Sequence, residues 1–298
     1  MPELPEVETT VRGLKRTIRG LVIKDVWTDL ATKDKRQRYT IANPKYFRIF
    51  EKEVKNKKIL SIERRAKNIL INISGGKTIL VHMKMTGHLL CGEYKKDLIN
   101  RFIHFTITFG NGEKLYFSDM RKFGKITLLD TKVAHDSKHL NNIGPEPLEK
   151  NFTLEKLKER LNKKPNGKIK TILMDQSIIA GIGNIYSDEI LWRAGIHPER
   201  KISKLKEFEL KLIFRAIKEI LTKGIDFGGD SMSDYRNIHG LPGKFQLHHK
   251  AYRCTGKKCK KRGCSDSESL QTRMRCRGTI QRKVINGRSA HFCSVHQK

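Results

Sequence analysis

Apolar residues recur at three- and four-residue steps at the start of the chain: Leu4, Val7, Val11, Leu14 and Ile18. That spacing predicts an amphipathic helix. Pro2 and Pro5 suit its first turn, and Glu3, Glu6 and Glu8 suit its positive end. From residue 20 to 130 the pattern becomes strand-like. Ile69, Ile71 and Ile73 alternate with the polar Asn68 and Asn72, Ser74-Gly75-Gly76 interrupts, and Thr78–Met83 resumes. Phe105–Phe109 alternates, Asn111-Gly112 signals a hairpin, and Leu115–Phe117 returns. Several short strands joined by turns predict a β-sandwich. Asn142–Pro147 carries two prolines and a glycine and reads as a linker. Beyond it the pattern is helical. Thr153 can cap a helix bearing Leu154, Leu157 and Leu161, and a second runs through Ile169, Ile172 and Leu173. Asn184 can cap a third, which ends at Gly195 and Pro198. A fourth covers about Lys204 to Lys223 and stops at Gly224. Residues 228–248 are glycine-rich and polar, as a mobile loop would be.

Length and charge narrow the class. The 298 residues suggest two domains. Lys and Arg number 62 against 31 acidic residues, a net charge of +31. So large an excess favours a polyanionic partner, either nucleic acid or an anionic membrane surface. No apolar run reaches membrane-spanning length, and Glu3, Glu6 and Glu8 stand where a signal peptide would be apolar. The expectation is a soluble, intracellular protein. Five of the six cysteines lie in the last 45 residues (Cys254, Cys259, Cys264, Cys276 and Cys293), within a tail, residues 250–298, that has 14 Lys/Arg and 2 acidic residues. Such clustering points to metal before disulfide.

Two features could carry chemistry. If Met1 is removed, Pro2 becomes a terminal secondary amine. An α-amino group titrates near 8 and a lysine near 10.4, so the terminal amine is more available as a nucleophile by about two orders of magnitude. Its attack on a sugar aldehyde carbon would give an iminium that has no N–H to lose and can draw electrons in an elimination. The alternative is a plain amphipathic helix with acidic capping. Gly181-Ile182-Gly183, between two helices, makes a tight turn whose N–H groups and following helix N-terminus suit an anion; most such turns only connect helices.

The run Lys170–Gln176 through Gly181–Leu191, with Met1–Glu8, closely resembles the formamidopyrimidine-DNA glycosylase family. So do Arg64–Lys67, His82–Gly87, Asp119–Gly124, Gly144–Leu148, Gly228–Tyr235 and the cysteine tail. Leu4 favours this family over its endonuclease VIII sister, which usually has Gly there. The resemblance implies an oxidised-purine DNA glycosylase with AP-lyase activity, acting as a monomer on double-stranded DNA that carries oxidised bases or abasic sites. Pro2 matches the Schiff-base nucleophile and Glu3 the carboxylate that handles protons at the sugar. Lys67 matches a proton donor for β-elimination, and Arg288 matches the hairpin arginine that grips phosphate at the lesion and is assigned to δ-elimination. Without the resemblance, Lys67 is a strand-end lysine reaching for water and Arg288 a turn residue in a basic tail.

Met85, Arg121 and Phe123 match the three residues that fill the gap left by an extruded nucleotide; the bland alternative for Met85 and Phe123 is core packing. His104 matches a phosphate contact, with a structural histidine as the alternative. Lys170 and Asn184 match phosphate contacts of a helix–two-turn–helix motif. Three positions depart from the family: Lys84 for Gly, Met120 for Pro, and Lys122 for the usual Arg. The tail departs too. In place of two Cys-x-x-Cys pairs it offers Cys259, Cys276, Cys293 and His296 as one structural Zn²⁺ site, with Cys264 as a substitute for Cys276.

The implied fold class is α+β and multidomain. Residues 1–135 form an N-terminal helix and β-sandwich, 150–245 a helical helix–two-turn–helix domain, and 246–298 a zinc-finger β-hairpin. DNA would cross the cleft between domains, capped at the lesion by a loop within 228–248. Three rivals stand beside this reading: an oxidised-pyrimidine enzyme of the same fold, a non-catalytic nucleic-acid-binding protein, and a basic structural protein of an RNA assembly. Leu4 and the Met85/Arg121/Phe123 trio argue against the first. Pro2, Glu3 and Lys67 together argue against the second, since binding alone needs none of them. The apolar patterning argues against the third.

Overall fold

A computed structural model describes residues 1–94, 97–261 and 276–298. The chain divides into two units: Met1–Asn142 with Gly224–Gln246, and Ile143–Lys223 with Leu247–Lys298.

In the first unit the expected helix forms as α1 (Leu4–Thr17). Its apolar stripe (Leu4, Val7, Val11, Leu14), with Ile18 just beyond, is at most 2% exposed. Eight strands follow: β1 (Ile23–Thr28), β2 (Ile59–Arg65), β3 (Asn68–Ile73), β4 (Lys77–His82), β5 (His88–Cys91), β6 (Ile103–Phe109), β7 (Lys114–Ser118) and β8 (Lys125–Asp130). They form two antiparallel sheets, β1-β6-β7-β5 and β2-β3-β4-β8. One apolar cluster joins them: Ile62, Ile69, Ile71 and Val81 from one sheet, Val26, Phe105, Ile107 and Phe117 from the other. Fully burying each such side chain contributes roughly 1.5–3 kcal/mol, which is why the period-2 pattern fixes this sandwich. A helix that periodicity did not reveal, α2 (Pro44–Val54), lies between β1 and β2. Its signal was Asn43-Pro44: the Asn43 side chain accepts from Lys45 and Tyr46 N–H, and Pro44 opens the first turn.

Two loops of the sandwich, residues 83–87 and 119–124, are held by one aromatic ring and one carboxylate. A Cβ on Gly87 would lie 2.6 Å from the Phe117 ring, and one on Gly124 2.3 Å from it. Only hydrogen fits at either place. Asp119 accepts hydrogen bonds from the Thr86 hydroxyl, from Arg121 N–H at 3.3 Å and from Gly124 N–H at 2.6 Å.

Gly224–Gln246 begins with the end of a helix (Glu207–Asp226) and is then largely irregular, as its glycines suggest, yet it is tied to the first unit. Asp230 N–H donates to Glu6 at 2.7 Å, Cys91 N–H to Ile238 O at 2.9 Å, and Arg236 pairs with Asp97 at 3.1 Å. Tyr235 and Ile238 are each 3% exposed.

The second unit holds α3 (Leu154–Leu161), α4 (Ile169–Leu173), α5 (Asn184–Ala194) and most of α6 (Glu207–Asp226), then a hairpin of β9 (Gln281–Ile285) and β10 (Arg288–Phe292). Two boundaries differ from expectation. Gly183 caps α5 and Asn184 is its first residue. The fourth helix starts at Glu207, not Lys204, because Glu209 draws back the Lys206 N–H; it then runs through Gly224. Asn286 and Gly287 both have positive φ (47° and 73°), so the hairpin closes in a two-residue turn that twists with the strands. Among the described residues no helix is long and apolar enough to cross a membrane.

Gly124→Ala forces a methyl group into the Phe117 ring and should cost about 2–3 kcal/mol. Chemical denaturation would show this as a lower midpoint with unchanged slope; an unchanged midpoint would mean that the ring does not set the loop.

Candidate active site and nucleic-acid contacts

The chain start is built into the fold. Pro2 is buried while Met1 is exposed. Glu3, 2% exposed, is the N-cap of α1 and forms a reciprocal capping box with Glu6. Glu3 N–H donates to Glu6 Oε2 at 2.7 Å, and Glu6 Oε1 accepts the Asp230 N–H at the same distance. Glu6 therefore fixes Pro2-Glu3 and the 224–246 segment together. Periodicity had marked Glu6 only as helix-end charge; its spacing of three from Glu3 was the signal that could have found the box.

Lys67 is not on a strand. It sits in the two-residue turn between β2 and β3, after Ala66 at φ +51°, and is 6% exposed. Arg64, at the end of β2, pairs with Glu8 of α1 at 2.9 Å, which brings this turn to the helix end that carries Glu3. His82 lies in the same basic neighbourhood. Burial, then Lys84, Lys67 and Lys125, push it down to about 3. Lys84 is lowered as well, by burial and then by Lys125. Lys84 has φ +55°, the conformation that glycine adopts without strain, so the departure here adds a cation at a backbone cost.

Met85, Arg121 and Phe123 come together on the surface of the first unit. Met85 and Phe123 are 42% and 48% exposed, which removes core packing as their explanation. The Arg121 guanidinium lies 4.7 Å from the Phe123 ring centroid and donates to Met85 Sδ at 3.3 Å. Met120 is exposed and Lys122 has φ +54°. The Asp119 bonds hold the loop where proline is absent. His104 binds Asp29 through Nδ1 at 2.9 Å, and its buried Nε2 has no hydrogen-bond partner among the described residues. The first contact is structural, and the second leaves one nitrogen for something else.

In the second unit Lys170, expected to contact phosphate, lies inside the fold. It is 0% exposed, and its ammonium pairs with Asp188 at 2.6 Å and donates to Ser187 Oγ at 3.0 Å. Its charge is spent inside the protein. Asn184 does not cap α5. Its amide donates to Ser289 Oγ at 3.2 Å, and its buried Oδ1 has no hydrogen-bond partner among the described residues. Arg288 is exposed at the start of β10, directly after the turn.

Cys259, Cys276, Cys293 and His296 converge, with their ligand atoms all within 4.8 Å of one another. Cys276 and Cys293 sulfurs are 3.7 Å apart, and His296 Nδ1 is 3.3 Å from Cys259 Sγ. Those spacings suit a tetrahedral ion with bonds of about 2.0–2.3 Å. His296 Nε2 lies 3.1 Å from Trp192 O; an N–H donated there leaves the Nδ1 lone pair for a metal. Burial and the neighbouring thiols push Cys259 up to about 12. The donor set fits a metal ion. Cys264 and the tail arginines 262, 273 and 275 lie outside the described residues.

The N-terminal 126 residues match the family model described as "Formamidopyrimidine-DNA glycosylase N-terminal domain", and residues 143–236 match "Formamidopyrimidine-DNA glycosylase H2TH domain". The chain belongs to the formamidopyrimidine-DNA glycosylase family. It is 38% identical over 299 residues to the formamidopyrimidine-DNA glycosylase of Pelotomaculum thermopropionicum, covering 100% of this chain and 99% of that one. It is also 38% identical over 298 residues to that of Carboxydothermus hydrogenoformans, covering all of both. Among solved structures it resembles a complex of Lactococcus lactis Fpg with abasic-site DNA (TM-score 0.82, 33% identity, 99% of each chain). A complex of the wild-type Lactococcus lactis Fpg with DNA containing N7-benzyl-Fapy-dG is equally similar (TM-score 0.82, 34% identity, all of both chains).

Two solution measurements follow. The folded state holds His82 neutral, whereas the unfolded chain takes a proton below about 6.5, so stability is full above that value and falls as pH drops towards 3. The slope contributed is at most about 1.4 kcal/mol per pH unit, and His82→Asn should flatten the denaturation midpoint between pH 7 and 5. A slope unaffected by this change would remove His82 as its source. Co²⁺ added to metal-free chain should give thiolate charge-transfer and tetrahedral d–d absorption. Its affinity should rise by at least about tenfold per pH unit near neutrality, because thiol protons must leave. Octahedral spectra would rule out the three-sulfur, one-nitrogen site.

Proposed function

We propose that this chain is a bifunctional DNA glycosylase and AP lyase that removes oxidised purines, 8-oxoguanine and formamidopyrimidines, from double-stranded DNA. The observation that carries the reading is the buried, capped start of α1, where Pro2, a secondary amine once Met1 is removed, directly precedes the buried Glu3. After Met1 is removed, the Pro2 nitrogen attacks C1′. The glycosidic C–N bond breaks, and the base leaves with that electron pair and a proton. Glu3 protonates O4′ as the C1′–O4′ bond opens, leaving an iminium between Pro2 and C1′. Loss of a C2′ proton then expels the 3′ phosphate, with Lys67 as proton donor. Loss of the C4′ proton expels the 5′ phosphate, which Arg288 grips as a hydrogen-bond donor while keeping its own proton.

Met85, Arg121 and Phe123 fill the gap in the duplex, with Arg121 offered to the cytosine left unpaired. His104 Nε2, which has no hydrogen-bond partner among the described residues, is offered to a phosphate, the contact that the family resemblance implies for that position. Zn²⁺ on Cys259, Cys276, Cys293 and His296 supplies a structural cross-link for the β9–β10 hairpin. The chain acts as a monomer, and its net +31 gives a strongly salt-dependent affinity.

Single-turnover incision of duplexes with 8-oxoguanine opposite cytosine, or with an oxidised pyrimidine, tests the assignment. Purine excision should be the faster, with phosphate on both ends of the gap. Lys67→Ala should slow strand cleavage by about 100-fold or more while retaining DNA binding. A faster pyrimidine reaction would move the chain to the sister specificity, and binding without excision would make it a non-catalytic binding protein.

A further inference from the structure

We infer that Asp188 and His291 are positioning residues that fix the Arg288 hairpin against the helix–two-turn–helix motif, with Lys170 as the buried counter-ion of that joint. The inference rests on the reading of Arg288 as the δ-elimination donor. Residues 184 and 188 are four apart and share one face of α5; residues 289 and 291 are two apart and share one face of β10. The two pairs meet. Asn184 donates to Ser289 Oγ at 3.2 Å, and one Asp188 oxygen accepts both His291 N–H at 3.0 Å and His291 Nδ1–H at 2.8 Å. The other Asp188 oxygen takes the Lys170 ammonium of α4 at 2.6 Å. Lys170, Asp188 and His291 are 0%, 1% and 5% exposed. At the hairpin tip Asn286 reaches Thr171 of α4, donating at 3.3 Å. The hairpin is therefore gripped at its tip and along its strand by the two helices of the motif.

A buried cation and carboxylate persist only when each finds its partners. Here the partners are divided so that a single carboxylate couples α4 to β10. Arg288 opens β10 and directly precedes Ser289, so the joint holds it at a fixed offset from α5. Loss of the joint would leave the arginine attached but unregistered.

The test uses the full-length, metal-loaded chain on a duplex with one abasic site, and scores the β- and δ-elimination products separately. His291→Phe removes the ring hydrogen bond but leaves the backbone one and the Lys170–Asp188 pair, so the fold should survive. It should lower the δ step by about tenfold, the scale of one hydrogen bond to a charged group, with β-elimination changed less than about twofold. His291→Asn, whose amide can occupy the Nδ1 position, should restore the δ step. Asp188→Asn provides the second probe and should lower the same step. Arg288→Ala is the control. If it leaves the δ step intact, the reading of Arg288 has failed. If it abolishes that step while His291→Phe and Asp188→Asn do not alter the product ratio, the positioning role is wrong. Equal loss of β and δ products in the His291 variant would likewise overturn it, as a general structural role.

Discussion

A carboxylate in a protein interior must have hydrogen bonds or lose its charge. Glu6, 1% exposed, meets that demand with two backbone N–H groups from opposite ends of the first unit: Glu3 at the helix start and Asp230 in the returning segment. One buried group thereby sets the conformation of Pro2-Glu3 and docks Gly224–Gln246 onto α1. Gly229 makes the approach possible, since a Cβ there would lie 2.9 Å from Glu6 Cγ. The candidate nucleophile and its neighbouring carboxylate are held by the protein interior, as a pre-organised site requires.

The second unit solves a related problem with opposite charges. Lys170, Asp188 and His291 bury a cation and its partners at the junction of α4, α5 and β10. Nearby, Glu189 accepts three successive backbone N–H groups from Lys250, Ala251 and Tyr252, at 2.8–3.1 Å, and so holds the approach to the cysteine cluster against α5. Consecutive acidic residues at 188 and 189 thus serve the hairpin and the metal-ligand segment respectively. These buried charges contribute geometry.

The sandwich and α1 were legible in the sequence because burial of one face is a local rule, whereas the β9–β10 hairpin was expected only from the family resemblance. Matching the tail to the family's cysteine pairs pointed to Cys259, Cys276, Cys293 and His296, and these four converge. What was not legible depended on partners distant in the chain. Nothing near Lys170 announces that its charge is consumed by Asp188, eighteen residues on. Alternation suggested a strand position for Lys67, but the left-handed Ala66 turns the chain first. The residues 228–248 look loop-like because they lack periodicity, yet Tyr235 and Ile238 are buried by tertiary contacts that periodicity does not report. The catalytic roles came from family resemblance; residue chemistry alone left a capped helix and a nucleophile equally open.

The most direct test is borohydride trapping on a duplex carrying one 8-oxoguanine opposite cytosine, followed by mass spectrometry of the adduct. The account predicts a covalent complex at an N-terminal Pro2 with Met1 absent. A complex mapped to Lys67 or to another lysine would contradict Pro2 as nucleophile. Stable binding with no adduct on purine, pyrimidine or abasic substrates would contradict catalysis itself.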